Sequence, residues 1–236
     1  MSGHWMGQSR ERIEPPRERD TFRNLPEDKR ARIEEVLVRE FSEQGFRDAS
    51  LNSIVRRAGI AKGSLYQYFA DKEAMFLFVF DRFTEAVKEA VRKARQGAGG
   101  DFWSRLRELL RAGVEFVDSH REYYRLYLRI LFEKDVPRRA ELLGRVRMFS
   151  ADLLGAMVAE GIRRGELRPE VLPGTAVFVL DCVCERFLQG YARAYLDPGL
   201  GLAGLDAMAL GREIDHIIEA LRTGFASPAR EDACTV

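Results

Sequence analysis

Two short amphipathic segments joined by a glycine, between Asp48 and Glu73, are the feature that most restricts how this chain can fold. Ser50 has a hydroxyl that can cap a helix, and apolar residues then recur on one helical face: Leu51, Ile54, Val55 and Ala58. Gly59 ends that helix, because the turn that follows needs a backbone conformation that disfavours a Cβ. A second short helix follows, from Lys62 to Phe69. The pattern predicts a helix-turn-helix, whose second helix can enter the major groove of DNA.

The outer face of the second helix indicates what it could bind. Leu65 and Phe69 lie four residues apart and should pack inward, which leaves the other side chains to project outward or sideways: Lys62, Ser64, Tyr66, Gln67 and Tyr68. No acidic residue occurs from Gly59 to Ala70, so this face can approach phosphates without repulsion. Hydroxyls donate to phosphate oxygens, and a glutamine amide can read the edge of a base, adenine by preference. The alternative, which spacing alone leaves open, is a small helical hairpin with a polar face.

The same stretch closely resembles the DNA-binding domain of the tetracycline-repressor (TetR) family of bacterial transcription regulators. The matching positions are Ser50-Leu51, Ile54-Val55, Ala58-Gly59-Ile60-Ala61, Gly63, Tyr66, Tyr68-Phe69 and Lys72-Glu73. Val55 stands where the family has Ala, and Ala61 where it has Ser, so no side-chain contact with DNA is expected from Ala61. The resemblance implies that the ammonium group of Lys72 meets a phosphate.

These considerations identify one set of DNA-binding residues. Gln67 is the best candidate for reading a base, Gly63 lets the backbone come close to DNA, and lysine and tyrosine side chains would hold phosphates. The full predicted set is Ser50, Lys62, Gly63, Ser64, Tyr66, Gln67, Tyr68 and Lys72.

Composition excludes several other classes of protein. The net charge of the chain is only +1, so any attraction to DNA must come from local placement of charge. The three cysteines form no C-x-x-C pair and have no histidine nearby, which argues against a disulfide framework and a metal site and is typical of the cytoplasm. No apolar run is long enough to span a membrane, and no signal-peptide segment is recognisable at the N-terminus.

The sequence also lacks the patterns of an enzyme. His4, His120 and His216 are scattered, and no glycine-rich phosphate loop, H-E-x-x-H or G-x-S-x-G motif is present. Neither catalytic residues nor a cofactor are predicted. A second class remains open besides a DNA-binding regulator: a helical dimer that binds only protein. The residues that argue against it are Lys62, Tyr66, Gln67, Tyr68 and Lys72.

Helical periodicity continues along the whole chain and predicts an all-α fold. Residues 1–24 are expected to form a flexible arm, which could reach DNA through its arginines, and residues 25–71 form the helix-turn-helix domain with a first helix at about 27–44. Residues 72–226 comprise a linker helix and a helical bundle for ligand binding and dimerisation, and 227–236 a flexible tail. The helices of the bundle are predicted near 102–119, 121–133, 137–165, 175–196 and 206–225.

The bundle could hold an apolar ligand among its aromatic residues and methionines, although for any single one of them a place in the core is the favoured interpretation. The candidates are Phe102, Leu106, Leu110, Tyr124, Tyr127, Phe149, Met157 and Phe178. Asp181 and Glu185 lie one turn apart on the most apolar helix, where they could bind a cationic or hydroxylated ligand group. The favoured alternative is that they pair with Arg186, Arg193 or an arginine of another helix.

The family resemblance implies a homodimeric regulator whose last two long helices, 175–196 and 206–225, form the dimer interface. Two recognition helices would bind a near-palindromic operator in double-stranded DNA. A small hydrophobic effector in the bundle would tilt the linker helix and so change the spacing of the recognition helices. The expected function is a ligand-responsive repressor that its effector releases from DNA.

Overall fold

The structure, a computed structural model, describes residues 18–97 and 99–225. Within these ranges the chain is all-α, as the periodicity predicts, and it contains no strand. The α-helices are α1 Asp20–Arg23, α2 Glu27–Asp48, α3 Leu51–Ala58, α4 Lys62–Tyr68, α5 Lys72–Gly97, α6 Phe102–Ser119, α7 Arg121–Phe132, α8 Arg139–Arg163, α9 Pro173–Ala192 and α10 Ala207–Phe225. Among them, no helix is both long enough and apolar enough to cross a lipid bilayer.

Packing divides the chain into two compact units, one on each side of the bond between Arg82 and Phe83. The division lies inside α5, so that the first part of this helix belongs to unit 1 and the rest to unit 2. The boundary expected from sequence lies where α5 begins, at Lys72. The predicted tail, 227–236, lies outside the described residues.

Unit 1 is built on α2, whose apolar stripe is fully buried at Ile33, Leu37 and Phe41, as its spacing predicts. Gly45 interrupts the helix with φ 73° and ψ −177°, a conformation that is open to glycine alone. The chain then reaches Ser50, whose side chain accepts a hydrogen bond from the backbone N–H of Ser53 and caps α3. The predicted cap is therefore confirmed.

Glu40 joins α2 to the start of α3, and this role was not predicted from sequence. Its side chain is only 3% exposed. One carboxylate oxygen accepts from the backbone N–H of Ser50 at 2.8 Å, and the other accepts from the hydroxyl of Ser53 at 3.0 Å. Arg57 approaches the same carboxylate at 3.6 Å. These partners satisfy a buried charge that would otherwise be costly, so they set where α3 begins.

The expectation of a flexible arm through residue 24 is wrong for residues 18–24. Asp20–Arg23 form α1, and Phe22 is completely buried. The Phe22 ring packs against Tyr68, Phe69 and Phe78, with ring centroids 5.0 to 5.8 Å apart. Phe22 is the buried aromatic residue in a segment that otherwise consists mainly of alternating Arg and Glu. The burial of its ring holds this polar segment against unit 1. Residues 1–17 lie outside the described residues.

Unit 2 is a bundle formed by the rest of α5 and by α6 to α10. The observed helices agree with the predicted ones, although α8 begins two residues after Pro137 and α9 ends at Ala192, before a short 3-10 turn at Ala194–Leu196. Helix α9 packs against both α8 and α6, and α10 packs against α6. Their shared core contains Phe102, Trp103, Leu106, Leu110, Leu154, Val158, Leu167, Ala176, Leu180, Phe187, Leu202, Leu210, Ile214 and Ile218.

The burial of Phe22 predicts that α1 contributes to stability. Replacing a fully buried phenylalanine by alanine should lower the free energy of unfolding by about 3–5 kcal/mol. The measurement is urea unfolding of Phe22→Ala followed by circular dichroism, with Phe132→Ala as the control because Phe132 is 56% exposed. Equal stability of the two variants would show that α1 does not anchor unit 1.

The contacts of Glu40 predict that its replacement also lowers the stability of the protein. Glu40→Ala removes the acceptor from the Ser50 N–H and should destabilise the protein by about 1–3 kcal/mol. Glu35→Ala is the matched control, because Glu35 lies on the same helix in an exposed pair with Arg39 and should cost only about 0.3–0.5 kcal/mol. Urea unfolding curves measure both. A control as damaging as Glu40→Ala would contradict the role of Glu40 as a buried acceptor.

Candidate nucleic-acid interface and ligand cavity

The turn between α3 and α4 has the geometry that its glycine predicts. Gly59 adopts the left-handed conformation with φ 64° and ψ 38°, and the backbone N–H of Ile60 bonds to the carbonyl of Val55 at 3.1 Å. Both features are typical of a glycine-terminated helix. Ile54 and Ala58 face the core of unit 1 and are fully buried. The two helices therefore form the predicted helix-turn-helix.

Helix α4 divides into a buried and an exposed side. Leu65 is fully buried, and Phe69, just past the helix end, is 1% exposed, as predicted. Lys62, Gly63, Tyr66 and Gln67 are exposed, and Ser64 is half-buried. No hydrogen bond joins the Lys62, Tyr66 or Gln67 side chain to another residue within the described part of the chain. These three side chains are therefore available to an external partner.

Tyr68 does not project outward, so this prediction is wrong. The side chain is only 6% exposed, and its ring packs on Phe22 with centroids 5.8 Å apart. The sequence pattern alone could not show this, because the residue that covers Tyr68 lies on α1, in a segment predicted to be flexible. We therefore do not include Tyr68 among the proposed phosphate contacts.

The segment before α1 and α1 itself also hold the end of α4 through its backbone. Arg19 donates from its backbone N–H to the Tyr68 carbonyl at 3.0 Å and from its guanidinium to the Tyr66 carbonyl at 2.9 Å. The hydroxyl of Thr21 donates to the carbonyl of Gln67. These carbonyls belong to the last turn of a helix, where intrahelical donors are lacking. The backbone that carries Tyr66 and Gln67 is thereby fixed without use of either side chain.

Lys72 has a structural partner that the sequence did not reveal. Its ammonium group donates to the carbonyl of Arg47 at 2.9 Å and lies over the ring of Phe46, 5.3 Å from the centroid. Partial burial lowers the pKa of Lys72, although the charges of Asp48 and Glu40 oppose this shift. An ammonium group has three donors, so the bond to Arg47 leaves two for another acceptor. The predicted phosphate contact of Lys72 remains a prediction.

A predominantly apolar cavity of about 190 Å³ lies within unit 2. It is lined by residues of α5, α6, α7, α8 and α9. Four of the predicted ligand-binding residues border it: Leu110, Tyr124, Tyr127 and Phe149. Phe83 and Val87 of α5, and Gly113 and Phe116 of α6, were missed. At Gly113 a Cβ would come within 2.9 Å of Leu188 Cδ1, so the lack of a side chain there lets Leu188 pack directly against α6.

The other four predicted ligand-binding residues do not border this cavity. Phe102 and Leu106 are at most 1% exposed and belong to the core between helices. Met157 packs against that core and borders a separate cleft. Phe178 is 69% exposed on α9 and points away from the bundle. Helical periodicity identifies an apolar position without showing which neighbour covers it, so it could not separate these four residues from the four that border the cavity.

A polar cluster borders the cavity on α7, α8 and α9. The guanidinium of Arg147 pairs with Asp181 at 2.8 Å and with Glu185 at 2.5 Å, which confirms pairing with an arginine of another helix. Tyr127 donates its hydroxyl to Glu185 at 2.9 Å, and Ser150 donates to Asp181. Burial and the charge of Glu185 raise the pKa of Tyr127, and burial raises the pKa of Cys184 to about 12. Tyr127 is therefore a neutral donor, and Cys184 is an unreactive thiol, near neutral pH.

Comparison with known proteins covers both units. Residues 33–79 match the family described as bacterial regulatory proteins, tetR family. Residues 100–226 match the family described as tetracyclin repressor-like, C-terminal domain. The second match alone covers more than half of the chain.

Individual relatives agree with these matches. A TetR family transcriptional regulator from Chloroflexus aurantiacus has 34% sequence identity and a TM-score of 0.70, covering 88% of this chain and 98% of that one. The transcriptional activator FasR of Mycolicibacterium smegmatis is 30% identical over 125 residues, 52% of this chain and 55% of FasR, so the match spans about half of that curated relative. The regulator FadR of Bacillus subtilis in complex with stearoyl-CoA covers 83% of this chain and 99% of its own, with a TM-score of 0.64, but its 14% identity supports the fold alone.

These relatives are named as transcription regulators rather than as enzymes. The family matches cover the helix-turn-helix and most of unit 2, and the Chloroflexus regulator is similar over nearly its whole length. The chain belongs to the TetR family of bacterial transcription regulators, as the residues of its helix-turn-helix predict.

Proposed function

We propose that this protein is a cytoplasmic, sequence-specific transcription regulator whose affinity for DNA is set by a small apolar effector. The observation that carries this proposal is the outer face of α4. Lys62, Tyr66 and Gln67 are exposed and have no described partner, while the backbone beneath them is fixed by Arg19 and Thr21. A rigid helix that presents unengaged polar side chains and no acid is well suited to a major groove.

Each exposed residue of α4 has a proposed role. Lys62 and Tyr66 would hold phosphates, with Ser64 as a weaker donor at the edge of the helix, and Gln67 would read a base. Gly63 has no atom within 4 Å of where a Cβ would stand, so backbone at this point can come close to DNA. Ser50, near the start of α3, and Lys72, at the start of α5, would add contacts to the phosphate backbone.

We also propose that the protein acts as a homodimer on a near-palindromic operator. Two copies would place their α4 helices in successive major grooves, about 34–36 Å apart. The interface would lie on α9 and α10, where Phe178 is 69% exposed and Met208 is 71% exposed. Exposed apolar side chains of this size favour burial against a second copy.

The proposed effector site is the cavity in unit 2. Helix α5 contributes Phe83 and Val87 to this cavity, and the same helix begins at Lys72 in unit 1. An effector that prefers one tilt of α5 would shift the dimer towards a spacing of recognition helices unsuited to the operator. Such a shift requires different affinities of the effector for the two states. We propose that the effector releases the protein from DNA, so that the protein is a repressor.

A selection of genomic fragments tests the proposed function. Purified protein at physiological salt, with excess competitor DNA, should retain a few fragments that share a near-palindromic sequence. Candidate effectors are then added to the retained complexes, and release is measured. Retention of fragments without any common sequence would contradict specific recognition. Tighter retention on adding effector would contradict the repressor assignment.

Gln67→Ala should relax sequence preference. Losing a base contact costs about 1–3 kcal/mol on the cognate site and little elsewhere. Lys62→Ala is the matched comparison on the same helix. It should weaken binding to all sequences alike and reduce the slope of log affinity against log salt by about 1. Fluorescence anisotropy on cognate and scrambled duplexes measures both. Equal weakening on both duplexes by Gln67→Ala would contradict its base-reading role.

Phe178→Glu should dissociate the proposed dimer, because it places a charge on a surface that would be buried between two copies. Sedimentation equilibrium measures the effect as a change from dimer to monomer mass. Met148→Glu is the control, since Met148 is 59% exposed but lies on α8, outside the proposed interface. Dissociation of the control, or a dimer that tolerates Phe178→Glu, would place the interface elsewhere.

A further inference from the structure

A second recess of unit 2 adjoins the effector cavity and differs from it in charge. It has a volume of about 400 Å³ and shares Leu109 and Leu153 with the cavity. Its charged residues are Arg95, Arg105, Arg164 and Glu160, which give a net charge of +2. We call this recess the arginine cleft.

The cations of the arginine cleft are incompletely neutralised. Arg164 pairs with Glu160, and Arg105 pairs with Glu166 at 3.1 Å. Arg105 retains a buried Nε without a hydrogen-bond partner among the described residues. Arg95 is exposed and makes no ion pair with any residue in ranges 18–97 and 99–225. A guanidinium group with unused donors is the preferred partner of a carboxylate or a phosphate in proteins.

The polar cluster has the opposite charge. Asp181 and Glu185 outnumber Arg147, so the charged groups that line the effector cavity sum to −1. Arg147 and Glu160 are thirteen residues apart on α8, which corresponds to about 20 Å along the helix at 1.5 Å per residue. Leu153 lies between them and borders both recesses. Leu109 and Leu153 therefore lie between a recess with negative charge and a recess with positive charge.

From this polarity we propose that the effector is an anionic amphiphile. Its apolar tail occupies the effector cavity, and its carboxylate or phosphate head lies in the arginine cleft against Arg95 and Arg105. Head and tail in the opposite orientation would place the anion beside Asp181 and Glu185, which would repel it. The inference deepens the proposed function, since it names the class of molecule that the same cavity would bind.

The volumes of the two recesses agree with a ligand that uses both. The cavity of about 190 Å³ is smaller than the roughly 300–1,000 Å³ that is usual for ligand sites, whereas the cleft of about 400 Å³, alone or together with the cavity, falls within that range. A compact apolar molecule would need the cavity alone. A molecule with a chain and a charged head would need both recesses and would pass between Leu109 and Leu153.

The test compares four molecules with the same alkyl chain: decanoate, decyl phosphate, decanol and decylammonium. Isothermal titration calorimetry on the full chain without DNA, below the micelle concentration, measures their affinities. Decanoate and decyl phosphate should bind with one molecule per chain and about tenfold more tightly than decanol or decylammonium. Tighter binding of decylammonium or decanol, or no binding of any of the four, would overturn the inference.

Arg95→Gln tests the head-group site directly. The substitution should weaken the binding of decanoate and decyl phosphate by about fivefold, since a single half-solvated charge pair is lost. It should leave the affinity for decanol unchanged. Arg92→Gln is the matched control, because it removes the same charge one turn earlier on α5, where Arg92 pairs with Glu89 and borders neither recess. An equal loss of affinity in both variants would show that only the overall charge of the protein matters, and it would overturn the proposed head-group site.

Because calorimetry is performed without DNA, the two proposals fail independently. Retention of palindromic fragments together with a preference for decanol would leave the regulator intact and refute the anionic effector. Tight binding of decanoate by a protein that retains no specific fragment would support the ligand site and refute the DNA-binding function.

Discussion

The buried carboxylate of Glu40 is the interaction on which the helix-turn-helix depends. A carboxylate at 3% exposure is stable only when its charge is matched by donors, and the available donors are the backbone and hydroxyl groups at the start of α3. The position of α3 relative to α2 is therefore set by electrostatics as well as by apolar packing. Gly59 then ends α3 in the left-handed conformation, where the turn into α4 begins.

Helix α5 carries groups that belong to both proposed functions. Its first residue, Lys72, caps the carbonyl of Arg47, while Phe83 and Val87 line the effector cavity and Arg95 borders the arginine cleft. A continuous helix can transmit a displacement because its hydrogen bonds couple successive turns. A ligand at one end influences the other only to the extent that it binds two positions of the helix with different affinity. The proposed regulation therefore depends on how the effector contacts the part of the cavity wall that α5 provides.

Elements whose structure is determined within one short segment could be predicted from the sequence. The helices of both units, the cap at Ser50 and the left-handed turn at Gly59 follow from local periodicity and from backbone chemistry. The burial of a side chain could not be predicted where a residue distant in the sequence covers it. Tyr68 is covered by Phe22, 46 positions earlier in the chain, and the same burial turned part of the expected arm into α1.

The residues that line the effector cavity could likewise be predicted only in part from the sequence. Leu110, Tyr124, Tyr127 and Phe149 were identified by apolar character, but Phe102 and Leu106 have the same character and lie in the core without bordering the cavity. The two groups differ in the neighbours that cover them, and Gly113, where a Cβ would stand 2.9 Å from Leu188, lies on the part of α6 that lines the cavity. A glycine within an apolar helix could have signalled this close approach.

The charged groups of unit 2 can distinguish between ligands more sharply than its apolar lining can. An apolar wall accepts many molecules with similar affinity, because burial is non-directional and scales with area. The pairing of Arg147 with Asp181 and Glu185 satisfies the charged groups of the cavity internally, whereas Arg95 and the Nε of Arg105 leave donors unused in the arginine cleft. A bound anion would gain charge-assisted hydrogen bonds at the arginine cleft without breaking the pairs that join α8 to α9. A cation bound to Asp181 and Glu185 would have to displace Arg147, so the ion pairs that join α8 to α9 also favour the anionic effector that we propose.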